Sequence, residues 1–169
     1  MTADPEYVAA LVRGAQRGDS MAMQALLDLL APYVGRLCGP IALEDGPDAA
    51  QETLIAVFRG ISRLREPAAL FGWVRAIAIR EAVRTARRSG PPAEPIDLDA
   101  VPQTGDLQEA ADVRDLLDRL SPEHRAVLVL RDVEGLDERT VGKLLQISTG
   151  TVKSRLHRAR KSFRKAWRG

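Results

Sequence analysis

The segment ERTVGKLLQISTGTVKSRLHRARKSF, residues 138–163, repeats apolar side chains at helical spacing on either side of a short polar turn. Glu138 to Leu145 forms a brief amphipathic stretch, Gln146-Ile147-Ser148 is the turn, and Val152, Leu156, Ala159 and Phe163 then recur on one face. Between Arg139 and Gly169 there are ten lysines and arginines and no acid. One face therefore packs while the other stays cationic. Two helices joined by a tight turn and ending in a positive surface follow the plan of a helix-turn-helix whose second helix enters a DNA major groove.

Just upstream, Val113, Leu116, Leu117 and Leu120 predict an amphipathic helix, and Ser121-Pro122-Glu123 supplies an N-cap, an N1 proline and a first-turn acid for another. Ala126, Val127, Leu128, Leu130 and Val133 carry that helix to Gly135. Before it, residues 89–108 hold four prolines and only acidic charge, which predicts a flexible linker. Fully extended it could span on the order of 60 Å. A first module occupies residues 5–88. It opens with helices around Tyr7 to Ala15 and Met23 to Leu30, the second capped by Asp19 or Ser20 and broken at Gly39-Pro40. A polar turn from Glu44 to Pro47 leads to a third helix over about Asp48 to Ile61, and a fourth runs from near Pro67 to Arg88. The fold class is all-α: two small helical modules, 5–88 and 109–169, joined by the linker.

Composition narrows the function. The 169 residues are 45% hydrophobic, enough for small cores, and only 4% aromatic. The net charge of +2 conceals segregation. Residues 1–88 hold 11 basic and 10 acidic side chains, residues 89–112 none and 6, and residues 113–169 hold 14 and 7. The last module suits a polyanion and the middle segment would be repelled by one. Cys38 is the single cysteine, which excludes an intrachain disulfide and a thiolate zinc site and fits a reducing cytoplasm. Neither export nor membrane insertion is expected. With no nucleophile triad, phosphate loop or paired-carboxylate motif, no enzyme, cofactor or metal is expected.

The chain resembles the extracytoplasmic-function (ECF) group of sigma-70 family sigma factors. Leu117 to Leu128 (LDRLSPEHRAVL), Gly135-Leu136 and Gly150 to Arg160 (GTVKSRLHRAR) resemble region 4, and Asp48 to Thr53 (DAAQET), Trp73 to Ala78 (WVRAIA) and Arg87-Arg88 resemble region 2. The resemblance implies a protein that binds core RNA polymerase, holds a melted −10 element with the first module and grips a −35 duplex with the second. It also implies an anti-sigma factor as a regulatory partner. Arg80 and Arg84 stand where similar sequences usually carry Asn and Asp, which places −10 selectivity in question. Gly142 replaces a common Ala at little expected cost, and Gln146 replaces a turn Gly.

In the last helix, Lys153, Ser154, His157 and Arg158 lie at positions suited to base-edge contacts at the −35 element. Thr151, Arg155, Arg160 and Arg139 suit phosphate anchoring. In the first module, Phe71, Trp73, Arg80, Arg84, Arg87 and Arg88 make a candidate single-strand surface for the −10 element, with Arg75 on the same helix. Trp73 has a competing role in the core. The resemblance assigns Asp48, Gln51, Glu52 and Thr53 to polymerase. The alternatives are a stand-alone helix-turn-helix regulator, which lacks an evident dimer helix here, and a polymerase-binding decoy with altered promoter recognition.

Overall fold

The structure is a computed structural model that describes residues 4–90 and 109–167, with side chains at 109–112, 163 and 165–167 excepted. Among the described residues there are helices and no strand. α1 (Pro5–Gln16) starts on Asp4, whose carboxylate accepts the Glu6 amide at 3.0 Å. Gly18, at φ +85°, turns the chain into α2 (Ser20–Ala42). Asp19 caps α2 by accepting the Met21 and Ala22 amides. α3 (Gly46–Gly60) and α4 (Leu70–Ser89) complete the first module, with single 3-10 turns at Leu43–Asp45, Ile61–Arg63 and Pro67–Ala69. The second module holds α5 (Glu109–Asp118), α6 (Pro122–Leu128), which ends in a π turn over Val129–Val133, then α7 (Glu138–Leu145) and α8 (Thr149–Trp167). Of the predicted linker, residues 89–108, Ser89 instead closes α4 and Gly90 is its C-cap, and residues 91–108 lie outside the described residues.

α2 corrects one sequence expectation. Gly39-Pro40 does not break it; the helix runs through Pro32 and Pro40 to Ala42. An interior proline costs about 3 kcal/mol. Against that, Leu26, Leu30, Val34, Leu37 and Ile41 are all at most 1% exposed. Burial of each such side chain contributes about 1.5–3 kcal/mol, so the core outweighs both prolines. Gly39 serves a close approach instead: a Cβ on Gly46 of α3 would lie 3.1 Å from the Gly39 Cα. The stretch Ser20–Arg63, which begins with α2, is the one described stretch apolar and long enough to cross a membrane by composition, but these α2 side chains are buried in the core.

In the second module Val127, Leu130, Val141, Val152, Leu156 and Ala159 are buried together. The stripe read from the α8 sequence is thus the face that packs; its last member, Phe163, lies outside the described side chains. Ser121 caps α6 and Asp137 caps α7, accepting the Thr140 amide at 2.9 Å. Gln146 ends α7 in the left-handed region, at φ 56° and ψ 43°. That lets the Ile147 amide reach back to the Gly142 carbonyl at 2.9 Å.

The turn also changes the reading of Gly142. A Cβ there would stand 2.8 Å from the Ile147 carbonyl oxygen, so glycine is the residue this turn admits rather than a small concession. Gly142→Ala should destabilise the module by about 1–3 kcal/mol through overpacking. Gln146→Gly should stabilise it by about 1 kcal/mol, because the left-handed conformation no longer strains a Cβ. Urea midpoints of both variants measure this. Opposite signs at either site would mean that the turn is built differently.

The two predicted modules share one buried cluster. α6 packs on α2 and α4, and Arg125, 6% exposed, crosses the junction. Its guanidinium donates to the carbonyl oxygens of Ile41 at 2.7 Å, Leu117 at 3.0 Å and Leu120 at 2.7 Å.

Candidate nucleic-acid interface

α8 presents its cations because its apolar stripe is already occupied. With Val152, Leu156 and Ala159 buried, Lys153, Ser154, His157 and Arg158 fall on the opposite side, and all four are exposed. Lys153 Nζ lies 3.6 Å from Glu138 on α7. Ser154 Oγ donates to the Thr151 carbonyl at 3.1 Å, so it must rotate to meet a base. Thr151 is half-buried at the start of α8, where its amide donates to Ser148 Oγ at 3.1 Å. Capped though it is, this helix N-terminus keeps the positive end of the helix dipole, which favours an anion. Arg139 is exposed on α7 and Arg155 is half-buried. Arg160 bonds Asp132 through Nε at 3.2 Å, which raises its affinity for the proton.

The positive field reaches inward. His124 shares a 2.6 Å hydrogen bond between Nδ1 and Ser121 Oγ. Burial first, and then the Arg155 and Arg158 charges, hold its imidazole below the ordinary range.

On α4, Arg80, Arg84, Arg87 and Arg88 are exposed and lie along one face at spacings of four, three and one. Their local partners differ. Arg80 Nε donates to the Ala76 carbonyl at 3.2 Å, Arg84 pairs with Glu81, and Arg87 pairs across the junction with Glu123. Phe71 is 39% exposed and meets Tyr33 edge-on, with ring centroids 5.4 Å apart at 82°. Trp73 is half-buried against the core, and a Cβ on Gly60 would come within 3.1 Å of its ring. Its core role leaves only part of the indole for a base.

On α3, Asp48, Gln51 and Glu52 are exposed together. Thr53 is the correction. It is fully buried, its hydroxyl donates to the Ala49 carbonyl at 2.7 Å and faces Cys38 Sγ at 3.8 Å, so its side chain belongs to the core and not to a docking surface. Helical phase explains this: 53 follows 49 by one turn and points the same way as buried Ala49.

A cluster that no local signal announces lies between the modules. The Tyr33 hydroxyl donates to Glu134 Oε2 at 3.2 Å, and Arg75 Nη1 lies 3.5 Å from the same oxygen. Burial and the Glu134 carboxylate push the Tyr33 phenol up to about 12. Residues 101 positions apart leave no periodicity to find them by. Among the described residues, no three His, Cys, Asp or Glu side chains converge in a way that would hold a metal.

Comparison with known proteins bears on this surface. The family described as "Sigma-70, region 4" matches residues 110–163. The ECF RNA polymerase sigma factor SigE of Mycolicibacterium smegmatis is 36% identical over 87% of this chain, which spans 63% of that protein's length. The ECF RNA polymerase sigma-E factor of Haemophilus influenzae is 30% identical over 89% of this chain and 90% of its own. Among solved structures, CnrH in complex with the cytosolic domain of CnrY aligns with a TM-score of 0.61 at 21% identity, covering 94% of each chain. RpoE in complex with the anti-sigma factor NepR, from Bartonella quintana, aligns with a TM-score of 0.64 at 19% identity over 86% of this chain and 96% of its own. These two likenesses concern the fold.

Proposed function

The chain belongs to the ECF group of sigma-70 family sigma factors, and on that premise we propose that it recruits core RNA polymerase to promoters, reading a −35 duplex with α8 and holding a melted −10 strand with α4. One observation carries this reading. The apolar stripe of α8 is buried while Lys153, Ser154, His157 and Arg158 remain together in solvent. A merely solvated basic helix would have no reason to keep one face docked and a turn-capped N-terminus aimed outward.

In this scheme Lys153 and Arg158 donate to base edges, with guanine O6 and N7 the natural acceptors. Arg139, Arg155, Arg160 and the N-terminal turn of α8 at Thr151 hold phosphates. Phe71 and the arginine face of α4 hold the displaced strand, Phe71 by stacking and the arginines by charge. Asp48, Gln51 and Glu52 face polymerase. An anti-sigma factor is a fitting regulator, since the RpoE neighbour was solved with one. The chain works in the cytoplasm and needs no cofactor for this role.

Reconstitution with core polymerase is the direct test. Initiation at a specific promoter is expected; binding without initiation would favour the decoy, and a requirement for a second sigma factor would favour a regulator. The division of labour in α8 has its own test. Arg158→Ala should weaken −35 binding by about 1–3 kcal/mol and relax preference at one base pair. Arg160→Ala should weaken all sequences alike and reduce the slope of log affinity against log salt by about one unit. Equal, sequence-independent losses from both would remove the base-reading role.

A further inference from the structure

We propose that Gln16, the last residue of α1, is a positioning residue for single-strand recognition: it fixes residues 62–69 so that they and Phe71 together select the base that the first module accepts. The inference rests on the strand-holding role proposed for α4 and adds the residue that sets its selectivity.

Residues 61–69 carry the chain from α3 to α4, and their two 3-10 turns, Ile61–Arg63 and Pro67–Ala69, both pack against α1. Backbone carbonyls in such a segment have no helix ladder to satisfy them and must find partners elsewhere. Gln16 Nε2 supplies two of them, donating to the Ile61 carbonyl at 3.0 Å and the Leu64 carbonyl at 2.7 Å. The Leu64 amide donates to the Ile61 carbonyl at 3.1 Å, so one side chain clamps both ends of the first turn. From α4, Trp73 closes on Gly60, where a Cβ would stand 3.1 Å from the ring. The segment is therefore held from two helices before any strand arrives.

What these contacts hold faces solvent. Leu64 and Leu70 anchor the segment at 7% and 0% exposure, whereas Ser62, Arg63, Arg65, Glu66, Ala68 and Ala69 are exposed. Phe71 follows Leu70 directly and is exposed as well. Ala68 and Ala69 leave room for a flat ring near Phe71, and Arg63 and Arg65 bring charge for the flanking phosphates. Stacking and charge accept any base; only fixed hydrogen-bonding groups tell one from another. The backbone is extended at Leu64 and Glu66, which turns peptide groups sideways where a base edge can meet them. Their direction depends on the Leu64 carbonyl staying with Gln16, because Arg65 begins at that same peptide. A seat held in advance also loses little ordering entropy when a base enters. Gln16 lies 45 and 48 positions from its two partners, so no local pattern announces it.

The test exposes the full chain to a pool of short single-stranded DNA randomised at every position and sequences the bound fraction. In Gln16→Met, which keeps the volume and loses both donors, base preference should fall about tenfold at one position. Affinity for the unselected pool should stay within about twofold, because the α4 arginines are untouched. Gln16→Lys, whose ammonium can still donate to both carbonyls, should retain the preference. Gly60→Ala, which presses on the Trp73 ring at the other end of the turn, should blunt preference at the same position, and it decides the matter if Gln16→Met loses its helical circular dichroism. Unchanged preference in either folded variant overturns the proposal. Equal loss at every position does so too, since it would make Gln16 a support of the fold alone. An unaltered chain that enriches no sequence overturns the strand-holding reading, and this proposal with it.

Discussion

Arg125→Met should lower the stability of the chain by about 3–5 kcal/mol and resolve its unfolding into two transitions. The side chain is 6% exposed and donates to the carbonyl oxygens of Ile41, Leu117 and Leu120. Ile41 belongs to the last turn of α2, whose carbonyls have no partner within the helix, and Leu117 lies in the last turn of α5. One guanidinium thus closes two helix ends and ties the modules together. Methionine fills comparable volume but donates nothing, leaving the Ile41 and Leu120 carbonyls unpaired at about 1–3 kcal/mol each where they stay dry, while the Leu117 oxygen keeps the Leu120 amide at 3.0 Å. Lost packing along the buried junction adds to that sum. Arg125→Lys should fall between, because an ammonium cannot span all three carbonyls in the plane of a fork. Differential scanning calorimetry measures both quantities. One transition at the unaltered midpoint would show that the modules do not depend on Arg125.

The contrast between Arg125 and α8 shows what a sequence of this kind discloses. In α8 the chemistry is local: Val152, Leu156 and Ala159 repeat at helical spacing, and knowing which side they occupy places Lys153, Ser154, His157 and Arg158 on the other. Caps are legible for the same reason, since Asp19, Ser121 and Asp137 act within three residues of themselves. Arg125 sits among equally polar neighbours and its burial depends on a carbonyl 84 positions away, so no local pattern separates it from a surface arginine. The Tyr33, Arg75 and Glu134 cluster is hidden for that reason too. Gly39-Pro40 misleads in the opposite way. Its local preference is to end a helix, and the buried residues around it override that preference. Thr53 could have been placed correctly from helical phase alone. Its adjacency to Asp48, Gln51 and Glu52 in a motif obscured that it turns inward with Ala49.

Reversing Asp48 and Glu52 to lysine should abolish co-purification with core polymerase while the helical circular dichroism stays unchanged. Both side chains are exposed on α3, one turn apart, and the family to which the chain belongs makes that surface the candidate polymerase contact. Placing a like charge against an interface, or stranding its partner, costs about 2–5 kcal/mol per buried pair, so two reversals remove about three or more decades of affinity. The folding cost is far smaller. Lysine at 48, in the first turn of α3, opposes the helix dipole by about 0.3–1 kcal/mol, and Glu52 is an exposed mid-helix position. Thr53→Val separates surface from core in the same assay. It removes the hydroxyl bonded to the Ala49 carbonyl but leaves the exposed acids in place, so polymerase should still bind even where the urea midpoint moves. Loss of binding in Thr53→Val with normal folding, or retention of binding in the double lysine variant, would detach polymerase from this face of α3 and transfer the search to the remaining exposed surface of the first module, where Phe58 stands 56% in solvent at the far end of the same helix.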